Sequence, residues 1–179
     1  MREILLLVLI AVLLFPHLNF SLEVSRLIIL TDKLSPELFK AIEIDEYYLS
    51  RKGIICEAYT NEQLKNCLRT YKAKEVWYVY LGHSNGENIG DFLSIDTITF
   101  PKKVDYIILD ACNFGKNPKI NRLLRFTKKG IFAVKGKDPY LGMLPLYKVD
   151  WKTPSQALKL LRDFYKNDKR SKNFIFLSP

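Results

Sequence analysis

The chain of 179 residues is poor in histidine and cysteine, the side chains that most often hold zinc. One of its two histidines, His17, lies within the first 21 residues, which form the predicted N-terminal leader described below, so the rest of the chain has His83 alone. A zinc site needs three or four ligands, and one histidine with three scattered cysteines that lack close spacing does not build one easily. The sequence also lacks a C-x-x-C motif, which disfavours a thiol-dependent redox protein. We therefore expect neither a metal nor another cofactor.

Internal repeats, low-complexity segments and domain linkers are absent from the sequence after the leader. With 48% hydrophobic and 26% charged residues, the composition is typical of a globular domain. The net charge is +9, but the basic residues are scattered along the chain and no nucleic-acid-binding module is recognisable. We expect no nucleic-acid partner. The basic surface is either simply solvated or attracted to an anionic membrane or envelope polymer.

The first residues have the features of a targeting segment. Arg2 precedes twelve apolar residues, 4–15, and Pro16 then ends any helix. Twelve residues match a signal-peptide core and fall short of the roughly 20 that span a bilayer. We predict a signal peptide or an N-terminal membrane anchor over residues 1–21 and a single domain over residues 22–179. The domain is then exported: periplasmic, secreted, or held at the outer face of the membrane, with membrane association through the N-terminal segment.

Apolar, β-branched runs alternate with amphipathic segments along the rest of the chain. The runs predict six strands, over residues 26–32, 54–59, 75–82, 104–111, 130–136 and 173–179. Helices are predicted over residues 35–53, 60–73, 119–129 and 153–168, with Ser35 and Thr153 as N-caps. Continuous apolar strands that alternate with helices predict an α/β fold, a three-layer sandwich with a mostly parallel sheet covered on both faces.

Two of the predicted strands end in side chains that can carry chemistry. "VWYVYLG" is followed by His83, and "YIILDA" is followed by Cys112. In an open α/β sheet the carboxyl ends of the strands collect functional groups, and neighbouring strands are about 4.8 Å apart. A thiolate nucleophile with a nearby histidine as proton carrier is the arrangement of cysteine hydrolases. The alternative, that both are ordinary loop and core residues, stays open at this point.

In an oxidising compartment, three cysteines leave either an intermolecular bridge or one thiol over. Cys56 and Cys67 are close in sequence and could pair, which would leave Cys112 outside the disulfide. The alternative is that all three are small buried side chains.

The stretches "VWYVYLGHSNG" and "YIILDAC" resemble the two signature blocks of the caspase-like cysteine peptidases, most of all compact bacterial members such as gingipain, clostripain and metacaspase relatives. The similarity spans roughly residues 26–136 in the order of elements. It implies a six-stranded sheet of order 2-1-3-4-5-6 with an antiparallel last strand. It also implies that Cys112 is the nucleophile, that His83 is the general acid and base, and that the backbone N–H groups of Ser84 and Cys112 form the oxyanion hole. The family usually has glycine where Ser84 stands.

The resemblance further implies a substrate preference. Strand alternation puts Asp110 on the same side as Cys112, and in the family the residue two before the cysteine lines the pocket for the P1 side chain. An acid there suits Lys or Arg. Asp138 is a candidate second acid of this S1 pocket. The alternatives are that Asp110 caps the turn after its strand and that Asp138 is a turn residue.

The sequence thus predicts an exported cysteine endopeptidase with a Cys–His dyad that cleaves peptides or proteins after Lys or Arg. The alternative is a catalytically inactive caspase-like envelope protein that serves as an interaction module.

Overall fold

A computed structural model describes residues 21–33, 35–137 and 142–179. Nearly all of the predicted leader and Asp138 therefore lie outside the described residues. The strands are β1 (Leu22–Lys33), β2 (Ile54–Glu57), β3 (Tyr71–Gly82), β4 (Asn88–Ile89), β5 (Leu93–Ser94), β6 (Val104–Asp110), β7 (Thr127–Val134) and β8 (Phe174–Leu177). The α-helices are α1 (Phe39–Ser50), α2 (Asn61–Thr70), α3 (Leu144–Lys148) and α4 (Pro154–Phe164). Three 3-10 segments cover Phe114–Lys116, Pro118–Phe126 and Lys169–Asn173.

Six strands form one sheet in the order β2-β1-β3-β6-β7-β8. The first five are parallel to their neighbours, and β8 is antiparallel to β7. The numbering differs from the predicted order 2-1-3-4-5-6 because the chain also forms β4 and β5, which the sequence did not predict. These two strands have two residues each and pair only with one another, in the segment between β3 and β6.

Both faces of the sheet are covered, as the continuous apolar strands predict. Because side chains alternate along a strand, Leu27 and Ile29 of β1 enter one core, with α2 and the β4–β5 ribbon. Ile28 and Leu30 enter the other core, with α1, α3 and α4. The result is an α/β arrangement of three layers around a mostly parallel sheet.

Helix boundaries follow local capping. Thr60 forms a capping box with Gln63 at the start of α2, and the Thr153 hydroxyl accepts the Gln156 N–H at the start of α4, as predicted. The prediction that Ser35 caps α1 is wrong. The Ser35 carbonyl accepts the N–H groups of the following turn, the regular helix begins only at Phe39, and no side chain caps it.

The predicted helix over residues 119–129 is also partly wrong. The chain forms a 3-10 segment over Pro118–Phe126, and residues 127–129 already belong to β7. Thr127 is fully buried, so pairing with β6 and burial outweigh the helical pattern at this end. No helix within residues 21–33, 35–137 and 142–179 is both long and apolar enough to cross a membrane.

Candidate active site

The two signature strands are neighbours in the sheet. β3 pairs in parallel with β6, and the register sets Leu81 opposite Asp110 at their carboxyl ends. His83 follows β3 and Cys112 follows β6, so both side chains leave the sheet at the same edge. They line one cavity of about 270 Å³ together with Asp110. The parallel pairing of the two strands therefore brings the predicted dyad and the predicted S1 acid to one site.

The rest of the cavity wall comes from other elements. Helix α1 and the residue before it supply apolar groups from Leu38, Ala41 and Ile42, together with the carboxyl group of Asp45. The remaining lining residues are Leu81, Gly82, Gly142 and Arg170. The cavity is thus an apolar slot with two acids and one guanidinium in its wall.

The loops that carry His83 and Cys112 are packed against each other. Gly86 has φ +100°, and a Cβ on it would approach the carbonyl oxygen of Asn113 at 3.0 Å. The Asn117 side-chain amide donates to the Gly86 carbonyl oxygen at 2.9 Å. Only glycine combines this backbone conformation with this close approach. The contact fixes the loop after β3 relative to the loop after β6.

His83 lies at the mouth of the cavity. Its side chain is 56% exposed, and Nε2 lies 3.5 Å from a carboxylate oxygen of Glu37. The Tyr80 hydroxyl donates to the His83 carbonyl oxygen at 2.7 Å, which anchors the backbone at the end of β3. Glu37 can orient the ring, as a third group does beside a nucleophile and its base.

Ser84 organises the turn that follows. Its hydroxyl accepts the Gly86 N–H at 2.9 Å and donates to the Asn88 carbonyl oxygen at 3.1 Å. These bonds close a short serine turn. Ser84 therefore has a structural role in this loop.

Cys112 is half-buried and is the cysteine outside the disulfide. The next residue, Asn113, adopts the left-handed conformation with φ 68°, and its N–H donates to the Gly136 carbonyl oxygen at 2.9 Å. A sharp turn directly after a strand presents the preceding side chain at the sheet edge. The thiol is consequently held in the cavity wall by backbone geometry.

Asp110 is 6% exposed, and its carboxylate is bound by the segment around α3. Oδ2 accepts the Met143 N–H at 2.8 Å and the Tyr147 hydroxyl at 2.9 Å. Gly142 has φ +46°, and a Cβ there would collide with Oδ1 of Asp110. The backbone at Gly142 therefore packs against Oδ1 of this carboxylate, and both residues line the cavity.

Asp45 is a site residue that the sequence analysis missed. It is 5% exposed, it lines the same cavity, and within the described residues its Oδ1 is buried without a hydrogen-bond partner. Burial, then the charge of Asp110, then that of Glu46, raise the pKa of Asp45 from 3.8 to about 9. At neutral pH Asp45 is therefore protonated. The sequence did contain an indication of this burial. Asp45 is spaced from Ile42 and Leu49 so that all three lie on the buried face of α1.

Arg170 brings positive charge to the cavity wall. Its Nε donates to Oδ1 of Asp168 at 2.9 Å, and its NH2 nitrogen lies 2.6 Å from Oδ2. Both residues belong to the segment before β8. The cavity thus has a basic side chain tethered by its own carboxylate.

Cys56 and Cys67 form a disulfide between β2 and α2, with Cα atoms 6.0 Å apart. Both residues pack in the core on the face opposite α1, away from the cavity. Within the described parts of the chain, no three histidine, cysteine or acidic side chains lie together in a way that could hold a metal ion. Comparison with protein-family models, with curated proteins and with solved structures found no match to this chain.

Proposed function

We propose that the protein is an exported cysteine endopeptidase of the caspase-like type that cleaves after Lys or Arg. The observation that carries the proposal is that His83 and Cys112 line one cavity with two buried acids, Asp45 and Asp110. A thiol, a histidine and an acidic slot are the three parts that such a reaction needs.

In the proposed reaction the Cys112 thiol gives its proton to the His83 ring. The thiolate attacks the scissile carbonyl carbon, so that a C–S bond forms while the carbonyl π electrons move to oxygen. Collapse of this intermediate breaks the C–N bond, and His83 gives the proton to the leaving amine. Water, deprotonated by His83, then attacks the thioester carbon. A C–O bond forms, the C–S bond breaks, the acid product leaves, and His83 returns the proton to the Cys112 thiolate.

The oxyanion hole in this proposal consists of the backbone N–H groups of Ser84 and Cys112. Both groups lie at the carboxyl ends of β3 and β6, where the two loops are packed together. Hydrogen bonds of this kind stabilise the negative oxygen of the tetrahedral intermediate. The Ser84 hydroxyl supports the turn that carries one of them.

The S1 pocket in this proposal is the slot between α1 and the end of β6. The methylene groups of a Lys or Arg side chain contact Leu38, Ala41 and Ile42, and the cationic end reaches Asp110 and Asp45. A charge-assisted hydrogen bond in a desolvated site favours a cation over a neutral side chain. Asp45, protonated in the free protein, can lose its proton when the cation binds.

Export is supported by the disulfide, because such bonds are stable in oxidising compartments and rare in the cytosol of mesophiles. The apolar run over residues 4–15 supports it independently.

The second candidate is an inactive relative that serves as an interaction module. The exposure of His83 and its contact with Glu37 favour it, because a ring that faces solvent has to turn toward Cys112 before it can act.

The two candidates are separated by peptide cleavage together with active-site labelling. We expect cleavage of peptides with Arg or Lys at P1, labelling of Cys112 by an acyloxymethyl ketone with a basic P1 group, and loss of cleavage in Cys112→Ala and His83→Ala. Asp110→Asn should lower cleavage after Arg by tenfold to a hundredfold, since a hydrogen bond to a charged group contributes roughly 1.5–3 kcal/mol.

The matched control is Glu87→Gln, which removes an exposed carboxylate from the loop after β3, outside the cavity lining. It should leave cleavage unchanged. Undiminished proteolysis in Cys112→Ala would overturn the whole proposal. A preference for Asp at P1 would overturn the S1 assignment and leave the dyad in place. Folded protein without cleavage or labelling would favour the interaction module.

A further inference from the structure

Most of the net positive charge of the chain lies at one edge of the sheet. This surface, the amino edge, consists of the amino ends of the five parallel strands, the adjoining chain and the C-terminus. Its residues are 21–26, 51–54, 70–75, 101–105, 125–129, 149–153 and 177–179. They include eleven basic and four acidic residues, a net charge of +7 out of the +9 of the whole chain. Parallel pairing gathers these charges, because strands that run in one direction begin at one edge.

The four acids of the amino edge are each engaged by a basic neighbour. Glu23 pairs with Lys72, Glu75 with Arg26 and Lys129, Asp105 with Lys128 and Lys129, and Asp150 with Lys52. The pair between Lys52 and Asp150 also ties residues 149–153 to this edge. Because the acids are balanced internally, the excess charge faces outward. It is carried in part by the exposed Lys74, Lys102 and Lys103.

The N-terminal sequence enters the domain at this same edge. β1 begins with Leu22, which is 58% exposed, and the apolar run over residues 4–15 precedes it by seven residues. Seven extended residues reach at most about 25 Å. An apolar segment held in a bilayer therefore keeps the amino edge close to the headgroups.

We propose that the amino edge is a docking surface for an anionic lipid membrane. An exposed basic surface attracts anionic headgroups within a Debye length of about 8 Å at physiological salt. Charge alone would suit a nucleic acid as well. The apolar run next to the basic edge favours the membrane, because an apolar segment can insert into lipid and would not contribute to binding a nucleic acid. The candidate active site lies at the opposite, carboxyl edge and faces away from the lipid.

The expected change in partition onto vesicles follows from the number of basic residues removed. Each Lys or Arg near an anionic surface raises partition about fivefold, the equivalent of about 1 kcal/mol. Replacing Lys74, Lys102 and Lys103 with glutamine should lower partition onto anionic vesicles about a hundredfold. The control variant replaces Lys159, Lys166 and Lys169, which are exposed but lie on α4 and the segment after it. It changes the net charge equally.

The test uses the full chain with vesicles of phosphatidylcholine alone or mixed with phosphatidylglycerol. Partition is measured by flotation, and lysine exposure is measured with a membrane-impermeant amine reagent and mass spectrometry. Lysine exposure remains informative even where the N-terminal segment binds the chain to neutral and anionic vesicles alike. We expect Lys102 and Lys103 to be protected on anionic vesicles only, while Lys159 and Lys166 react equally on both. The amino-edge variant should lose protection at Lys128, and the control variant should keep it.

Three outcomes would overturn the proposal. If Lys102 and Lys103 were protected equally on neutral vesicles, the N-terminal segment alone would hold this edge near the lipid, and the basic charge would not recognise the headgroups. Equal loss of partition in the two triple variants would mean that the charge acts diffusely. Salt-sensitive binding to an RNA oligonucleotide, with anionic vesicles left unbound, would assign the edge to a nucleic acid.

Discussion

Asp45→Asn is the substitution that most directly tests the buried acid pair. Asparagine has the size and shape of a protonated aspartic acid, so the variant keeps the neutral state and removes the titration. Asp45 is 5% exposed and lies near Asp110, and burial, followed by the charge of Asp110, raises its pKa to about 9. The unfolded chain has the ordinary value of 3.8. The variant should therefore change how stability depends on pH.

The sign follows from proton binding. Between pH 4 and pH 9 the folded state keeps the Asp45 proton, whereas the unfolded state loses it, so the free energy of unfolding falls as the pH rises. Each pH unit corresponds to about 1.4 kcal/mol. From pH 5 to pH 8 the titration of Asp45 should lower the free energy of unfolding of the wild type by on the order of 4 kcal/mol. Below pH 4 the contribution is absent, and above pH 9 it is constant. Asp45→Asn removes it throughout.

The assay is urea unfolding at pH 5, 6.5 and 8, with the disulfide intact. The free energy of unfolding of Asp45→Asn, minus that of the wild type, should grow by about 4 kcal/mol across this range. Glu43→Gln is the control, because Glu43 is an exposed acid on the same helix. Its difference from the wild type should stay nearly constant. Parallel pH profiles of Asp45→Asn and the wild type would refute the reasoning, since they would mean that Asp45 is ionised in the folded protein.

Two further predictions concern the cavity charge and the disulfide. Arg170→Gln removes the positive charge from the cavity wall and should raise kcat/KM several-fold for peptides with Arg at P1; a gain for Asp at P1 instead would contradict the acidic S1 pocket. The double substitution Cys56→Ser with Cys67→Ser opens a loop of sequence separation 11 and should lower the free energy of unfolding in urea by about 3 kcal/mol. Peptide cleavage in the refolded double variant should match the wild type, because the disulfide packs on the other face of the sheet; a loss would couple the two regions.

The sequence was sufficient to predict that His83 and Cys112 follow neighbouring parallel strands. Both follow long apolar runs, and parallel strands bring the ends of such runs to one edge. The structure pairs these two runs directly, and the two side chains line one cavity. The placement of the two strands could be predicted because it depends on chain direction and strand pairing, which long apolar segments specify strongly.

The wall of the cavity could not be predicted in the same way. The Asp110 carboxylate is bound by Met143 and Tyr147, which are more than thirty residues away and lie outside the predicted strands and helices. The short helix α3 in that segment is stabilised by burial of Leu144, Leu146 and Tyr147, not by a local pattern. Asp45 was missed because an acid in a helix is usually a surface residue.

The charge distribution also required the fold. Lys74, Lys103 and Lys129 are far apart in sequence, but each lies near the beginning of a strand that runs in the same direction. Basic residues that are scattered in sequence therefore lie together at one edge of the sheet, because parallel strands begin at the same edge. The two-residue strands β4 and β5 are a further case, because pairs so short leave no periodic signal.

The strand length separates the two charged regions of the molecule. β3 has 12 residues and runs from the amino edge to His83, a distance of roughly 40 Å at about 3.3 Å per residue. The Debye length at physiological salt is about 8 Å, so the basic edge is screened from the acidic cavity. The high pKa of Asp45 is therefore set by burial and by Asp110 at the cavity itself, and the positive charge at the other edge does not offset it. A membrane bound at the amino edge would likewise leave the electrostatics of the cavity unchanged, so substitutions at that edge should not alter the proposed substrate preference.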